Sequence, residues 1–349
     1  MRCKWISLLV SVVLVASVAM LVAPKAAAQN TGDYRSKQTG NWGEAATWER
    51  YEGTAWVDAT TAPTYTDGVI TIRNGHTVTI VADVTVDQVV IEAGGQVTVN
   101  SGFTFSTNNG TGDELTIYGT FLHSGTVAST MNGTGVLASG GTYIHNTISS
   151  AKRMVDFFNA GSVAADSTFI YRGSLTLRPA MSMSGQTYGN LTFESTSGSW
   201  STEALVGGTA TTIKGNFTLG SGVTFNNNTL VGLNVAGNWT NNGTFTAGSG
   251  TVTFNGGTTQ NLTLNTATTF NNLTVGSGTI LVETVSTDNA TVSALTNNGT
   301  IRKAKSVSGD SNTFGLAGGP INGANLNINV TAGSFTSIQV DRTDSNHAN

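Results

Sequence analysis

His123 and His145 stand in matching contexts, Gly119-Thr120-Phe121-Leu122-His123-Ser124 and Gly141-Thr142-Tyr143-Ile144-His145-Asn146, 22 residues apart. If that offset is one structural repeat, the two imidazoles lie one above the other, about 5 Å apart. Two stacked imidazoles could share a metal. A tetrahedral site needs further ligands, however, and no carboxylate shares the motif. A solvated or stacked ladder is therefore favoured, and no metal or other cofactor is expected.

Carboxylates are the second candidate set, because glycan hydrolases and lyases need acids clustered on one face, often with calcium and a basic group. Between residues 204 and 300 the acids are Glu283 and Asp288 and the base is Lys214. That half cannot host such a site. The first half holds Asp83, Asp87, Glu92, Asp113, Glu114, Asp156 and Asp166, with Lys152, Arg153 and Arg172. These acids are spread singly, and no Asp-x-Asp or Asp-Asp pair is present to hold calcium. No catalytic residue is assigned, and the chain is expected not to be an enzyme. No Ser-His-Asp grouping or phosphate loop is visible either, and Gly133-Thr134-Gly135 reads as a turn.

Trp42, Trp48 and Trp56 are the third set, three of the six Trp of the chain. They fall among Asp33, Arg35, Lys37, Glu44, Glu49, Arg50 and Glu52. Exposed, they would form a platform for carbohydrate. Buried, they would close the end of a repeat array whose first coil otherwise exposes an open edge. The cap reading is favoured, with carbohydrate contact as the alternative. Asn-x-Thr triplets at Asn190, Asn216, Asn238, Asn242, Asn261, Asn272 and Asn298 would be glycan acceptors in a eukaryotic secretory protein. Here they follow from a strand pattern of Asn, apolar residue and Thr. Thr pairs such as Thr77/Thr79 and Thr251/Thr253 would suit ice only if aligned on one flat face, and variable coil length argues against that.

The elements that position these residues are short strands. Runs such as Val69-Ile70-Thr71-Ile72, Thr77-Val78-Thr79-Ile80, Gln96-Val97-Thr98-Val99 and Thr251-Val252-Thr253-Phe254 alternate apolar residues with Thr, the signature of half-buried strands. Gly and Asn punctuate them as turns require. Ser149 to Ala160 is the one weak helix candidate. Gly189-Asn190-Leu191-Thr192 recurs as Gly215-Asn216-Phe217-Thr218 and as Gly237-Asn238-Trp239-Thr240, after 26 and 22 residues. Asn272-Leu273-Thr274 reads as the same series. Asn241-Asn242-Gly243-Thr244 returns as Asn297-Asn298-Gly299-Thr300. Spacings of 22–26 match one coil of a parallel β-helix. The expected fold is all-β: a right-handed parallel β-helix with an N-terminal cap, of about a dozen coils and about 60 Å long. An antiparallel sandwich is the structural alternative.

Composition agrees with such a rod. Charged residues are 10% of the chain, Gly is 43 residues, Thr 57, Asn 33 and Pro 4. Pro scarcity excludes collagen, and apolar residues along the whole length exclude wholesale disorder. The net charge of −4 with no basic stripe argues against a nucleic-acid partner. Arg2 and Lys4, the apolar run Ile6 to Ala23 and Ala26-Ala27-Ala28 read as a secretory signal peptide cut after Ala28, with an uncleaved anchor as the alternative. Cys3 is the only Cys. It precedes the apolar run, so it is no lipoprotein anchor, and no disulfide framework is possible. The reading divides the chain into 1–28 signal, 29–65 Trp-rich cap, 66–340 repeats and 341–349 the start of a truncated C-terminal segment. It leaves no membrane span in the mature chain.

Gly237-Asn-Trp-Thr-Asn-Asn-Gly-Thr-Phe-Thr-Ala-Gly-Ser-Gly-Thr-Val-Thr-Phe-Asn-Gly256, followed by Thr269-Phe-Asn-Asn-Leu-Thr-Val-Gly-Ser-Gly278, resembles the repeat of large secreted bacterial β-helix proteins. These are adhesin-like surface proteins, many exported by the type IX route. Gly40-Asn-Trp, Thr47-Trp48 and Ile72-Arg-Asn-Gly-His-Thr-Val-Thr-Ile80 resemble the start of such proteins and, distantly, the G8 module. The resemblance implies an exported structural or adhesive protein of the cell surface or extracellular space, with extracellular glycans or surfaces as partners. The alternative is a carbohydrate-binding or polysaccharide-degrading β-helix.

Overall fold

A computed structural model describes residues 29–125, 129–284, 290–303, 314–316 and 321–322. Residues 1–28, expected to be a signal peptide, and 341–349, expected to begin a truncated C-terminal segment, lie outside the described residues. The described residues form a parallel β-solenoid of about 10 turns. The dozen coils expected over 66–340 extend into residues 323–340, which lie outside the described residues. Described coils end at Thr300–Lys303, with two further short strands at Phe314–Leu316 and Ile321–Asn322.

Strand parity follows the sequence. In Thr77–Ile80 the apolar Val78 and Ile80 are buried while both threonines face outward, and Gln96–Val99, Phe217–Leu219 and Thr251–Phe254 repeat the pattern. Each inward side chain rests on its copy one coil away. Phe217 and Trp239 stack at 4.1 Å between ring centroids, and Phe225 and Phe245 at 5.7 Å. The core is thus one continuous column, because a single coil cannot bury its own apolar face.

The coils stack into three walls. The second wall is one sheet of twelve strands, from Gly40–Asn41 to Thr300–Lys303. The first wall is two sheets: one ends at Ser162–Val163 and the next begins at Thr187–Tyr188. The third wall is also split. Val84–Val86 pairs with Phe105–Thr107, and farther on Trp200–Ser201, Val223–Asn226 and Thr244–Thr246 form another sheet.

The 22- and 26-residue offsets are true coil steps: Thr120 pairs with Thr142, Leu191 with Phe217, and Phe217 with Trp239. The range is wider than 22–26. Ile70 pairs with Val89, Val89 with Leu115, Leu115 with Gly135, and Val136 with Ser162, steps of 19, 26, 20 and 26. Turns absorb the difference without disturbing strand register.

Two repeat assignments are corrected. Asn272 belongs to the first wall, opposite Thr251, so it does not continue the series of Asn190, Asn216 and Asn238. The true continuation is Asn261, since Leu262 pairs with Trp239. These four form a ladder. Asn190 Oδ1 accepts from Asn216 N at 2.8 Å, Asn216 Oδ1 from Asn238 N at 2.7 Å, and Asn238 Oδ1 from Asn261 N at 2.7 Å. Likewise Asn241 lies in the second wall and Asn297 in the first. What the two share is a local turn, with each side chain accepting from the N–H of the Gly two residues on.

The weak helix candidate is a real helix, α1 (Ala151–Ala160), which buries Ala151, Met154, Val155, Phe157 and Phe158 on one stripe. It stands where its coil would otherwise supply a third-wall strand. Gly135 lets it close in: a Cβ there would lie 2.2 Å from the Phe157 ring. Asn159 carries the chain across the break in the first wall, donating to Thr187 O at 3.1 Å and accepting from Thr187 N at 3.0 Å.

At the N-terminus, Tyr34–Ser36 pairs parallel with Ile70–Ile72 on one side and antiparallel with Trp48–Tyr51 on the other, which pairs antiparallel with Trp56–Asp58. This small antiparallel unit closes the edge of the first coil. Charged pairs coat it, among them Arg35–Glu49 at 2.7 Å and Lys37–Asp58 at 2.5 Å, a common device for blunting an exposed strand edge.

Candidate functional site

Trp42 and Trp48 are core residues. Trp42 is 2% exposed and Trp48 fully buried, packed edge-to-face at 5.0 Å. Trp42 Nε1 donates to Pro63 O at 3.1 Å and Trp48 Nε1 to Trp42 O at 2.8 Å. Neither ring can receive a sugar without opening the cap. Trp56 is half-buried, but the Arg35 guanidinium sits 4.3 Å from its ring centroid and Tyr51 lies 5.3 Å away. The structure does not assemble the three into one carbohydrate platform.

Several of the single acids of the first half are clamps between coils. Asp83 Oδ1 accepts from Thr104 N at 2.9 Å, Glu92 Oε2 from Asn74 N at 3.0 Å, and Asp166 Oδ2 from Ser139 Oγ at 2.5 Å. Fully buried Glu114 accepts from Gly110 N and Thr134 N, both at 3.0 Å. Asp87 is held above the usual carboxylate range by burial first and by the charge of Glu114 second. Among the described residues no three His, Cys, Asp or Glu converge as metal ligands.

The two histidines do come together, though not as a solvated ladder. His123 and His145 are paired in register on adjacent coils of the second wall. Both point inward, 3% and 0% exposed. Alternation dictates this: His123 has the parity of buried Phe121, and His145 that of buried Tyr143. The parity was readable in Thr-Phe-Leu-His and Thr-Tyr-Ile-His and is the signal that locates the pair in the core.

Tyr143 joins them. Its hydroxyl lies 2.9 Å from His123 Nδ1 and 3.2 Å from His145 Nδ1, and His145 Nε2 lies 3.0 Å from Ser149 O. The carbonyl can only accept, so His145 carries its hydrogen on Nε2 and its Nδ1 is an acceptor. The single Tyr143 hydrogen goes there. With both Tyr143 bonds made, His123 Nδ1 donates to the Tyr143 oxygen. His123 Nε2 is left as a bare lone pair, and it has no partner. Burial drives both imidazoles toward neutrality, His123 down to about 4 and His145 to about 3. Burial likewise pushes the Tyr143 hydroxyl up.

His123 lines a small cleft on the interrupted third wall, about 10 Å³, room for about one water-sized sphere. Met131 and Met154 line it with Ser129, Ser149 and Arg153. Met131 lies in the third-wall position next to Thr107, and Met154 comes from α1 one coil farther on. Arg153 Nη1 donates to Ser129 O at 2.9 Å. Gly125 packs close beside His123: a Cβ there would lie 3.2 Å from His123 Nε2. The methionines were not singled out by motif reasoning. They stand 23 residues apart, one coil step, so coil stacking places them on adjacent coils, and α1 supplies Met154 to the cleft.

Family models, curated proteins and solved structures yield no significant match to this chain. The fold and the site therefore stand on geometry alone.

Proposed function

We propose that the protein is an exported, non-catalytic β-solenoid whose walls serve as a structural or adhesive surface outside the cell. The observation that carries this reading is the outward face of the second wall. Thr192, Thr218, Thr240 and Thr263 lie in register on four successive coils, beside the row of Asn190, Asn216, Asn238 and Asn261. Such a surface offers many weak hydrogen bonds, each about 1 kcal/mol net or less. Useful affinity then comes from many coils or many copies acting together. The signal-like segment 1–28 and the resemblance of the repeat to adhesin-like, type IX-exported proteins support export and surface location. The start of the chain is proposed to be G8-like for the same reason. Among the described residues no helix is long and apolar enough to cross a membrane.

Fractionation tests the address: the protein should be recovered outside the cytoplasm and begin at Gln29. Adhesion to glycan-coated surfaces should be multivalent and nearly independent of ionic strength, because little of it is Coulombic. Turnover of a polysaccharide panel to new reducing ends or unsaturated products, abolished by changing one acid among Asp83 to Asp166, would instead establish the degrading alternative.

A further inference from the structure

We propose that the third-wall cleft binds one monovalent soft metal ion, copper(I), using His123 Nε2 and the thioethers of Met131 and Met154. Three independent features of the cleft agree on this chemistry. First, His123 presents a buried nitrogen with no partner, and the arrangement that makes all three bonds of the Tyr143–His145–Ser149 chain leaves Nε2 unprotonated. A buried polar atom without a partner calls for a ligand or an explanation. Second, two methionines, one half-buried and one 2% exposed, line the same cleft from different coils. Thioethers are polarizable and prefer soft ions, and copper(I) is the soft ion of the first-row series. Third, all three donors are neutral, and Arg153 at the mouth is positive. That charge opposes a divalent ion twice as strongly as a monovalent one. Zinc would also need a fourth ligand, and calcium and magnesium need oxygen cages that the cleft does not supply.

His145 is a positioning residue in this arrangement. Both its nitrogens are engaged, so the two imidazoles do not share the ion. The site exists because α1 displaces a strand: Met154 reaches the cleft only from the helix.

The test uses the full chain with Cys3→Ser, so that no thiol competes. Silver(I) is the calorimetric probe, and copper(I) is measured anaerobically against a chromophoric copper(I) chelator. One equivalent should bind with micromolar or tighter affinity, and zinc should bind at least 100-fold more weakly. Met131→Leu and Met154→Leu keep side-chain volume and should each weaken binding at least tenfold, as should His123→Gln. Met183→Leu, remote from the cleft, should change nothing. In protein labelled with ¹³C at the methionine methyls, silver(I) should shift the Met131 and Met154 signals and leave Met183 in place. Absence of a binding event would overturn the proposal. So would binding indifferent to both leucine variants, or zinc binding as tight as silver. Occupation of His123 Nε2 by water alone would give the first of these results.

Discussion

The hydroxyl of Tyr143 spans two coils, bringing together the Nδ1 atoms of His123 and His145, whose rings meet edge-to-face at 6.0 Å. One side chain thereby sets the protonation pattern of a pair 22 residues apart.

Acid should weaken the fold in a defined window. Both histidines are depressed in the folded state, so the unfolded chain takes up protons first as pH falls. Their stabilisation is complete above about pH 6.5 and is lost as pH falls through about 4 for His123 and about 3 for His145. At pH 4.5 each should contribute roughly 2–3 kcal/mol less than at pH 7.5. Urea unfolding at the two pH values measures this. Equal midpoints would show that the imidazoles are not held neutral.

Tyr143→Phe keeps the ring and removes the bridge. Two buried imidazole nitrogens then lose their partner, at about 1–3 kcal/mol each. Denaturant titration at pH 7.5 should show the loss, and Tyr118→Phe, on an exposed side chain, should not.

Inside and outside of one strand should differ sharply. Phe217→Ala empties the stack with Trp239 and should cost about 3–5 kcal/mol, while outward Thr218→Ala should cost well under 1 kcal/mol. Phe254 and Phe270, both fully buried, should behave like Phe217. Thermal melts of the set give the ranking, and a costly Thr218 would contradict the parity.

The Asn ladder should be intolerant beneath it. Asn216→Ala removes the acceptor for Asn238 N and should cost about 1 kcal/mol. Gly215→Ala should be worse, because its Cβ would sit 2.4 Å from Asn190 Oδ1 and 2.5 Å from the Ala165 carbonyl. Hydrogen exchange at Asn238 N reports the first effect, and unfolding midpoints report the second.

Trp48→Ala should cost about 3–5 kcal/mol by hollowing the cap without altering adhesion of protein that remains folded. Loss of binding to one oligosaccharide with the melt unchanged would restore the carbohydrate reading of Trp42, Trp48 and Trp56.

Strand parity, parallel stacking and the 22- and 26-residue steps were legible because side-chain alternation and stacked burial leave period-2 and repeat signals. Coil steps of 19 and 20 were not, since turns can lose residues without changing a strand. Asn241 and Asn297 misled for a related reason: a side-chain-to-Gly turn is a local hydrogen bond and looks the same at any corner of the coil. The His pair was legible as a pair. Its cleft was not: Met131 and Met154 are one coil step apart, but no strand motif repeats between them, because α1 stands where the second would lie. For the Trp cluster the sequence favoured the cap without showing which rings are buried; Trp42 and Trp48 are buried and Trp56 half-buried.

The uneven walls have a mechanical consequence. Near residues 163–187 the first and third walls are both interrupted, and the second wall alone is continuous strand to strand. In strand pairing the rod is therefore two stacked blocks spliced on one side, with Asn159 and the Lys214 Nζ to Val163 O bond, 2.8 Å, as extra stitches and the core column running through, Phe169 on Tyr188 at 5.2 Å. Since each coil of such an array is held chiefly by its neighbours, a pulling force should part the molecule at this splice. Extension would then come in two steps, one block holding while the other unravels, and the splice would act as a fuse that protects whatever the rod is attached to.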